Sequence, residues 1–209
     1  MKIAVINEFS TADRNADIIV ALENRGHDVL NIGMKKNDEE PKLSYIETGL
    51  MSAIVLNLNC VDFVVGGCGT GQGYFESAMQ YPGVICGHIS NDLDAFLFMK
   101  INNGNCISLN LNQGYGWAAD INLSFIFDKI FCTEPGSGYP EHRKEVQSKY
   151  RRLLRSISEY THYSFVEIIE KLPDEIIKPV INYPGMKELI DMKKIQDSRI
   201  KKAFLNRIC

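Results

Sequence analysis

The sequence predicts an α/β protein with a doubly wound sheet of five parallel strands in the order 2-1-3-4-5, followed by a helical C-terminal extension. Two observations support this fold class. Short apolar segments of strand length alternate with helix-length segments between residues 2 and 132. Such alternation is typical of a parallel sheet with helices on both faces. A glycine-rich loop also follows the third strand, at the edge where such sheets bind ligands.

Each element follows from its residues in order. Apolar runs bounded by polar residues or glycine predict the strands, over residues 2–7, 27–33, 61–65, 82–89 and 105–110. Helical periodicity predicts the helices, over residues 11–25, 43–59, 74–81, 91–101 and 116–132. The polar stretch 34–42 is expected to be a loop.

The sequence changes character after residue 133. A Gly/Pro-rich loop leads into a basic helical segment, an amphipathic segment "HYSFVEIIEKL" and a stretch "PDEIIKPVINYPG" that is interrupted by prolines. Residues 185–206 again have a helical pattern. We therefore divide the chain into a Rossmann-like domain, residues 1–135, and a helical extension, residues 136–209.

Composition excludes several classes of protein. The chain has 209 residues and a formal net charge of −3, so we expect no nucleic-acid partner. It has no apolar run of about 18 residues, so we expect no membrane span. The N-terminal stretch "MKIAVINEF" is broken by Asn7 and Glu8 and is typical of a strand rather than a signal peptide. We expect a cytoplasmic protein.

Cysteine and histidine spacing argues against a metal site. No CxxC, HxxxH or HExxH pattern occurs, and several cysteines lie in apolar runs, which is typical of reduced thiols. The six cysteines are at positions 60, 68, 86, 106, 132 and 209, and the four histidines at 27, 88, 142 and 162.

The segment "GCGTGQG", residues 67–73, holds the densest unusual chemistry. Its glycines leave several N–H groups near the start of a predicted helix, which suits an anion. The glycine spacing does not match the dinucleotide-binding fingerprint, which also follows the first strand, and no Gly-Lys-Ser/Thr follows it. A flavodoxin-like nucleotide protein is a weaker alternative for the same reason.

Cys68 lies in the middle of this segment. A thiol at a strand-to-helix turn gains thiolate character from the helix N-terminus. A thiolate beside converging N–H groups is a base or nucleophile beside an oxyanion hole. The alternative is a small residue that fills a tight turn. We favour the functional interpretation because the flanking glycines leave Cys68 little core to pack against, whereas we favour packing roles for the other cysteines.

Three segments resemble a known family: "CGTGQG" at 68–73, "PGVICG" at 82–87 and "INNGN" at 101–105. They resemble the RpiB/LacA/LacB family of type B ribose-5-phosphate isomerases and galactose-6-phosphate isomerases. The resemblance covers roughly residues 1–132, and the extension is similar to that of longer members. It implies a doubly wound fold, dimers with sites between subunits, and aldose–ketose isomerisation of a sugar phosphate through a cis-enediolate, with no cofactor.

The resemblance also implies roles for individual residues. Cys68 matches the base that moves a proton between C1 and C2. The loop N–H groups would hold the enediolate oxygen, and Thr70 would hydrogen-bond the same oxygens. Asn102 matches an asparagine that binds substrate hydroxyls. This agrees with physical chemistry, because a proton next to a carbonyl is hard to remove unless the resulting oxyanion is stabilised. The loop glycines concerned are Gly69, Gly71 and Gly73.

The chain departs from the family at several positions. Members have Asp-His after the first strand, where this chain has Glu8-Phe9; Glu8 keeps a carboxylate, but Phe9 cannot bind phosphate. The ring-opening histidine falls at Ile101, so ring opening needs another group or a linear substrate. His88 is a candidate proton donor, with a hydrogen-bonded structural histidine as an equal alternative. Arg143 matches one of the phosphate-binding arginines of the family.

Two function classes remain open. We favour a sugar-phosphate isomerase that acts as a homodimer or a dimer of dimers, because a mere binding protein has no use for Cys68. The alternative is a non-catalytic or regulatory sugar-phosphate-binding protein of the same fold, since the histidine positions are replaced.

Overall fold

The centre of the protein is a sheet of five parallel strands. The computed structural model describes residues 1–190, 195 and 197–208. The strands are β1 Lys2–Asn7, β2 Asp28–Asn31, β3 Phe63–Cys68, β4 Cys86–Ile89 and β5 Cys106–Asn110. Every pairing is parallel, and β3 is buried along its whole length, as expected for a sheet covered on both faces. The predicted doubly wound parallel sheet is confirmed.

The predicted strand order 2-1-3-4-5 is wrong at its last two positions. The observed order is β2-β1-β3-β5-β4, with β5 between β3 and β4. β5 is buried at four of its five positions, whereas β4 has four residues and a partly exposed His88. The more apolar strand therefore lies inside the sheet and the shorter one at its edge. Because a right-handed crossover can reach either place, chain order alone does not decide between them.

Helices cover both faces of the sheet. One apolar cluster contains side chains of α1 Asn15–Leu22, α4 Asp92–Leu97 and α5 Ala119–Cys132. The other contains side chains of α2 Tyr45–Asn57 and α3 Gln72–Ala78. The predicted helix 11–25 is divided, since a 3-10 helix, Phe9–Arg14, precedes α1; a π-helical turn, Phe98–Asn102, extends α4.

The C-terminal extension is helical, as predicted for the residues that the structure describes. Its helices are α6 Lys144–Thr161, α7 Phe165–Lys171, α8 Asp174–Asn182, α9 Pro184–Leu189 and α10 Ser198–Ile208. Side chains of α7 to α10, including Phe165, Ile177 and Phe204, belong to the same apolar cluster as α2. By contrast, α6 buries no residue. The domain boundary at residues 135 and 136 stays a prediction.

Some expectations remain predictions. Positions 191–194, 196 and 209, which include Cys209, lie outside the described residues. Among the residues that are described, no helix has both the length and the apolar character needed to cross a membrane. The cytoplasmic location is untested.

His27 should make stability depend on pH. Its ring packs on Phe131 with centroids 4.7 Å apart, and both ring nitrogens are buried without a hydrogen-bond partner among the described residues. Burial, and then the charges of the N-terminus and Arg25, lower the pKa of His27. The unfolded chain binds this proton first, so the free energy of unfolding should fall as the pH drops below about 6.5.

Urea unfolding at about pH 7.5 and about pH 5.5 checks this expectation. The midpoint should fall further in the wild type than in His27→Phe, which keeps an aromatic ring but does not titrate. Equal losses in the two proteins would show that His27 does not contribute.

Candidate active site

The direction of winding reverses between β1 and β3. These strands are neighbours, but α1 follows β1 on one face of the sheet and α3 follows β3 on the other. Doubly wound sheets bind ligands in the crevice at such a point, beyond the carboxyl ends of the strands. We call the space between these two strand ends the crevice.

Glu8 forms one side of the crevice. Asn7 is in register with Gly67. The next residues, Glu8 and Cys68, therefore lie side by side at the ends of neighbouring strands, about 5 Å apart. The Glu8 side chain is only 2% exposed. Its carboxylate accepts a hydrogen bond from Ser10 N at 3.1 Å and further ones from the Ser10 and Thr11 hydroxyls. These donors compensate for the burial of a charge.

Cys68 forms the floor of the crevice. It is the last residue of β3 rather than a turn residue. It is 7% exposed and belongs to the apolar cluster of α2 and α3, so the expectation that it has little core to pack against is wrong. Its carbonyl oxygen accepts from Gly71 N at 3.2 Å and from Leu111 N at 3.0 Å. These bonds fix the backbone that carries the thiol.

Gly66 explains why the strand continues to Cys68. A Cβ atom at Gly66 would lie 2.2 Å from the ring of Tyr74, which packs directly on the strand. The glycine therefore makes room for a buried tyrosine and does not end the strand. In the sequence, the pair Gly66-Gly67 is typical of a turn, so the pattern predicts a third strand that ends at residue 65, whereas β3 extends to Cys68.

The glycine loop offers fewer free N–H groups than the sequence suggests. Gly71 N donates to the Cys68 carbonyl, and Gln72 N donates to Thr70 Oγ1 at 3.3 Å. In the described part of the chain, the N–H groups of Gly69 and Thr70 have no protein acceptor. The Thr70 hydroxyl also keeps its own proton to donate. The Gly73 N–H likewise has no protein acceptor among these residues, so the donors available to an oxyanion include the N–H groups of Gly69, Thr70 and Gly73 and the Thr70 hydroxyl.

His88 holds this loop in place. Its Nε2 lies 3.0 Å from the Thr70 carbonyl oxygen, and because a carbonyl only accepts, Nε2 is the donor. The ring packs on Gly71, where a Cβ atom would lie 2.6 Å from Nε2. Gly71 has a φ of +76°, in the left-handed region that favours glycine. The Ser108 hydroxyl donates to the Gly71 carbonyl at 2.5 Å. The Nε2 proton of His88 is thus donated to the backbone of the glycine loop.

Two other thiols lie below the loop, near Tyr74. Cys86 and Cys106 are in register on β4 and β5 and are buried. Burial raises the pKa of Cys86 well above its usual value. Burial also raises the pKa of Tyr74, whose hydroxyl shares a 2.6 Å hydrogen bond with Ser52. Cys86 and Cys106 are buried among apolar side chains, the packing role that we expected for cysteines other than Cys68.

Asn102 lies at the opposite edge of the sheet from Cys68. It ends the π-helical turn just before β5 begins, where Asn105 Oδ1 accepts from Ile85 N at 2.8 Å, next to the start of β4. Cys68 instead is in register with Asn110, at the end of β5. The four residue steps from Cys106 to Asn110 span about 13 Å. Within one chain, Asn102 and Cys68 are therefore not brought together.

Arg143 lies near the same edge as Asn102. It is exposed and directly precedes α6. Arg151 of α6 donates to the Ile101 carbonyl at 2.7 Å, and Gly138 N donates to the Lys100 carbonyl at 2.9 Å. The structure thus forms two groups: Glu8, Cys68, Thr70 and His88 at the carboxyl edge, and Asn102 and Arg143 at the amino edge.

Two residues that the sequence did not single out, Asn112 and Tyr45, border the crevice. Asn112 donates through Nδ2 to the Ser10 carbonyl at 3.1 Å and through its backbone N to the Gly69 carbonyl at 3.0 Å, so it connects both sides. The ring of Tyr45 packs on Gly73, where a Cβ atom would lie 3.0 Å away. Asn112 closely follows the end of β5, and the rule that ligands bind beyond strand ends could have identified it.

Comparisons with known proteins agree with this geometry. A family model described as Ribose/Galactose Isomerase matches residues 3–146. A structure of a 4-deoxy-L-threo-5-hexosulose-uronate ketol-isomerase, complexed with a tartrate, is 33% identical, with a TM-score of 0.92, and the match covers 100% of this chain and 99% of that one. A ribose-5-phosphate isomerase from Vibrio parahaemolyticus is 37% identical, with a TM-score of 0.92 and 99% coverage of both chains.

A shorter structure shares the fold. The ribose-5-phosphate isomerase B of Clostridium thermocellum is 21% identical, with a TM-score of 0.64, and the match covers 78% of this chain and 100% of that one. The two full-length matches therefore share the C-terminal extension as well. Among functionally curated proteins, no sequence matches the chain.

Proposed function

Because the chain belongs to the ribose/galactose isomerase family and is an aldose–ketose isomerase, we propose that it interconverts an aldose phosphate and a ketose phosphate through a cis-enediolate, with Cys68 as the base. One observation carries this proposal. Cys68 lies on the floor of the crevice, next to Glu8 and to the N–H groups of Gly69 and Thr70, which have no protein acceptor in the described residues.

The chemistry needs no external reactant. The Cys68 thiolate removes the proton from C2 of the open-chain aldose, and the electron pair of that bond moves to form the enediolate. The negative charge on O1 is stabilised by the Gly69 and Thr70 N–H groups and the Thr70 hydroxyl. The thiol then returns the proton to C1, while the O2 proton moves to O1. One carbon-bound and one oxygen-bound proton have moved, and the oxidation states of C1 and C2 are exchanged.

The other crevice residues bind the substrate or hold the glycine loop in place. Glu8 accepts a hydrogen bond from a substrate hydroxyl. A carboxylate has about four acceptor positions, and the bonds from Ser10 and Thr11 do not use all of them. His88 keeps Thr70 and Gly71 in place through the hydrogen bond described above. It therefore contributes to the site without giving its Nε2 proton to the substrate.

The position of Asn102 and Arg143 supports a site shared by two copies of the chain. Within one copy these residues lie at the edge opposite Cys68, so they can reach a Cys68 crevice only from another copy. α6 offers the surface for such an assembly. It buries no residue, yet it carries large apolar side chains along one face, which are Val146, Tyr150, Leu153, Leu154, Ile157 and Tyr160, between 41% and 88% exposed. We propose that a second copy covers this face.

An acyclic uronate is a second candidate substrate. The ring-opening histidine of the family is replaced by Ile101, and the phosphate-binding histidine by Phe9, which is 44% exposed. A substrate that is already linear and bears a carboxylate would need neither histidine. The full-length likeness to a ketol-isomerase of 4-deoxy-L-threo-5-hexosulose-uronate favours this alternative.

A substrate panel distinguishes these candidates. Ribose 5-phosphate, galactose 6-phosphate and 4-deoxy-L-threo-5-hexosulose-uronate should be incubated with the wild type and with Cys68→Ser, which controls for contaminating isomerases. The proposal predicts the highest kcat/KM with a sugar phosphate. Turnover of the uronate alone would favour the second candidate. A wild type that binds a sugar phosphate but turns over none of the three would favour the non-catalytic binding protein.

A further inference from the structure

Arg14 lies beside the carboxyl end of β5, in the same chain as Cys68. It is the last residue of the 3-10 helix that begins directly after Glu8. Its Nε donates to the Leu111 carbonyl at 3.4 Å, and Leu111 N in turn donates to the Cys68 carbonyl at 3.0 Å. One residue therefore separates the arginine side chain from the backbone of the proposed base.

The guanidinium has a fixed orientation. It lies over the ring of Tyr115, 4.7 Å from the ring centroid. The Tyr115 hydroxyl donates to Asp17 Oδ2 at 2.5 Å, which anchors the ring to α1. The stacking and the Nε hydrogen bond fix the side-chain conformation of Arg14. Because the side chain is already ordered, binding an anion costs little further side-chain entropy.

The Arg14 guanidinium forms a weak, partly exposed ion pair. Its ion-pair partner is the adjacent Asp13, at 3.1 Å, with the two side chains 33% and 42% exposed. Exposed pairs of this kind contribute little. The terminal nitrogens can therefore exchange Asp13 for a phosphate or carboxylate, which a guanidinium can bind through two parallel hydrogen bonds.

We propose that Arg14 binds the acidic group of the substrate, at the end remote from the carbonyl that is isomerised. This inference rests on the proposed function. Phosphate and carboxylate are the two chemistries that Arg14 suits. The proposal places an anion-binding cation on the same chain as Cys68, in addition to Arg143 from another copy. It also gives a reason why Phe9 is tolerated, because Arg14 supplies a cation at the other end of the same 3-10 helix, five residues after Phe9.

Arg14→Gln tests the inference with the best substrate of the panel. We expect KM to rise about 10- to 100-fold, the loss expected for charge-assisted hydrogen bonds, with kcat within a few-fold of the wild type. Arg14→Lys should recover part of the loss. Lys36→Gln removes the same charge from the exposed loop after β2 and should leave KM unchanged. If Arg14→Gln lowers kcat and leaves KM unchanged, Arg14 has only a structural role.

Inhibition by inorganic phosphate and by acetate separates the two acid chemistries. The variant should weaken inhibition by the anion that resembles the acidic group of the true substrate. Asp13→Asn removes the competing carboxylate, so it should strengthen that inhibition, an effect that loss of a structural contact would not produce. An unchanged inhibition constant in both variants would overturn the inference. A wild type without isomerase activity would instead overturn the proposed function, so the two failures are distinguishable.

Discussion

Cys68→Ser should lower kcat by about 100- to 10,000-fold, the contribution of a positioned general base, while the protein stays folded. Serine is nearly isosteric with cysteine but is far less acidic. The bonds that shape the loop involve the Cys68 carbonyl rather than its side chain, so they persist in the variant. Substrate should still bind, since Glu8, Gly69 and Thr70 are unchanged. Steady-state kinetics and thermal unfolding check both parts of this expectation.

Cys132→Ser is the matched control, because Cys132 is an exposed free thiol at the end of α5. It should retain the activity of the wild type. If Cys68→Ser isomerises normally, the base is another group, and Glu8, which leaves β1 next to Cys68, becomes the first alternative.

Two inactive variants should restore each other's activity if the site is shared. One chain would carry Cys68→Ser and the other Asn102→Ala together with Arg143→Ala. A mixed dimer then has one site with both defects and one site with none, so it should have about half of the wild-type activity. The two chains should be co-expressed with different affinity tags and purified through both, and each pure variant serves as its own control.

The opposite result would remove the shared site. If Asn102 and Arg143 act on the Cys68 of their own chain, each site of a mixed dimer carries a defect and the activity stays low. The same experiment with Arg14→Gln in place of the double variant, assayed well below the wild-type KM, should give no more than about half of the low activity of Arg14→Gln itself, because Arg14 and Cys68 lie in one chain. Recovery there would contradict the placement of Arg14.

The strands and the chemistry of the loop could be predicted because their signals are local. Apolar runs bounded by glycine and polar residues indicate buried parallel strands, and the cysteine between glycines in residues 67–73 is visible in one short segment. The prediction failed where glycine had a packing role. Gly66 is needed because Tyr74 packs on it, and a contact between residues eight positions apart is not visible in a pattern of turn residues.

The role of His88 depends on the strand order and could not be predicted. In the expected order, β4 would neighbour β3 and place His88 directly next to Cys68. In the structure β5 lies between them, so His88 is in register with Ser108 and donates to the Thr70 carbonyl. Likewise, the separation of Asn102 from Cys68 follows from the path of α4 across the sheet, which returns the chain to the amino edge.

Incorporation of solvent deuterium tests the central claim most directly. In deuterated water, the wild type should introduce deuterium at the carbon that receives the proton from Cys68, because an enediolate mechanism passes the proton through an exchangeable thiol. Cys68→Ser should lose this incorporation together with turnover. If the wild type forms product without any solvent deuterium, or if Cys68→Ser exchanges at the wild-type rate, Cys68 is not the base and the account is wrong.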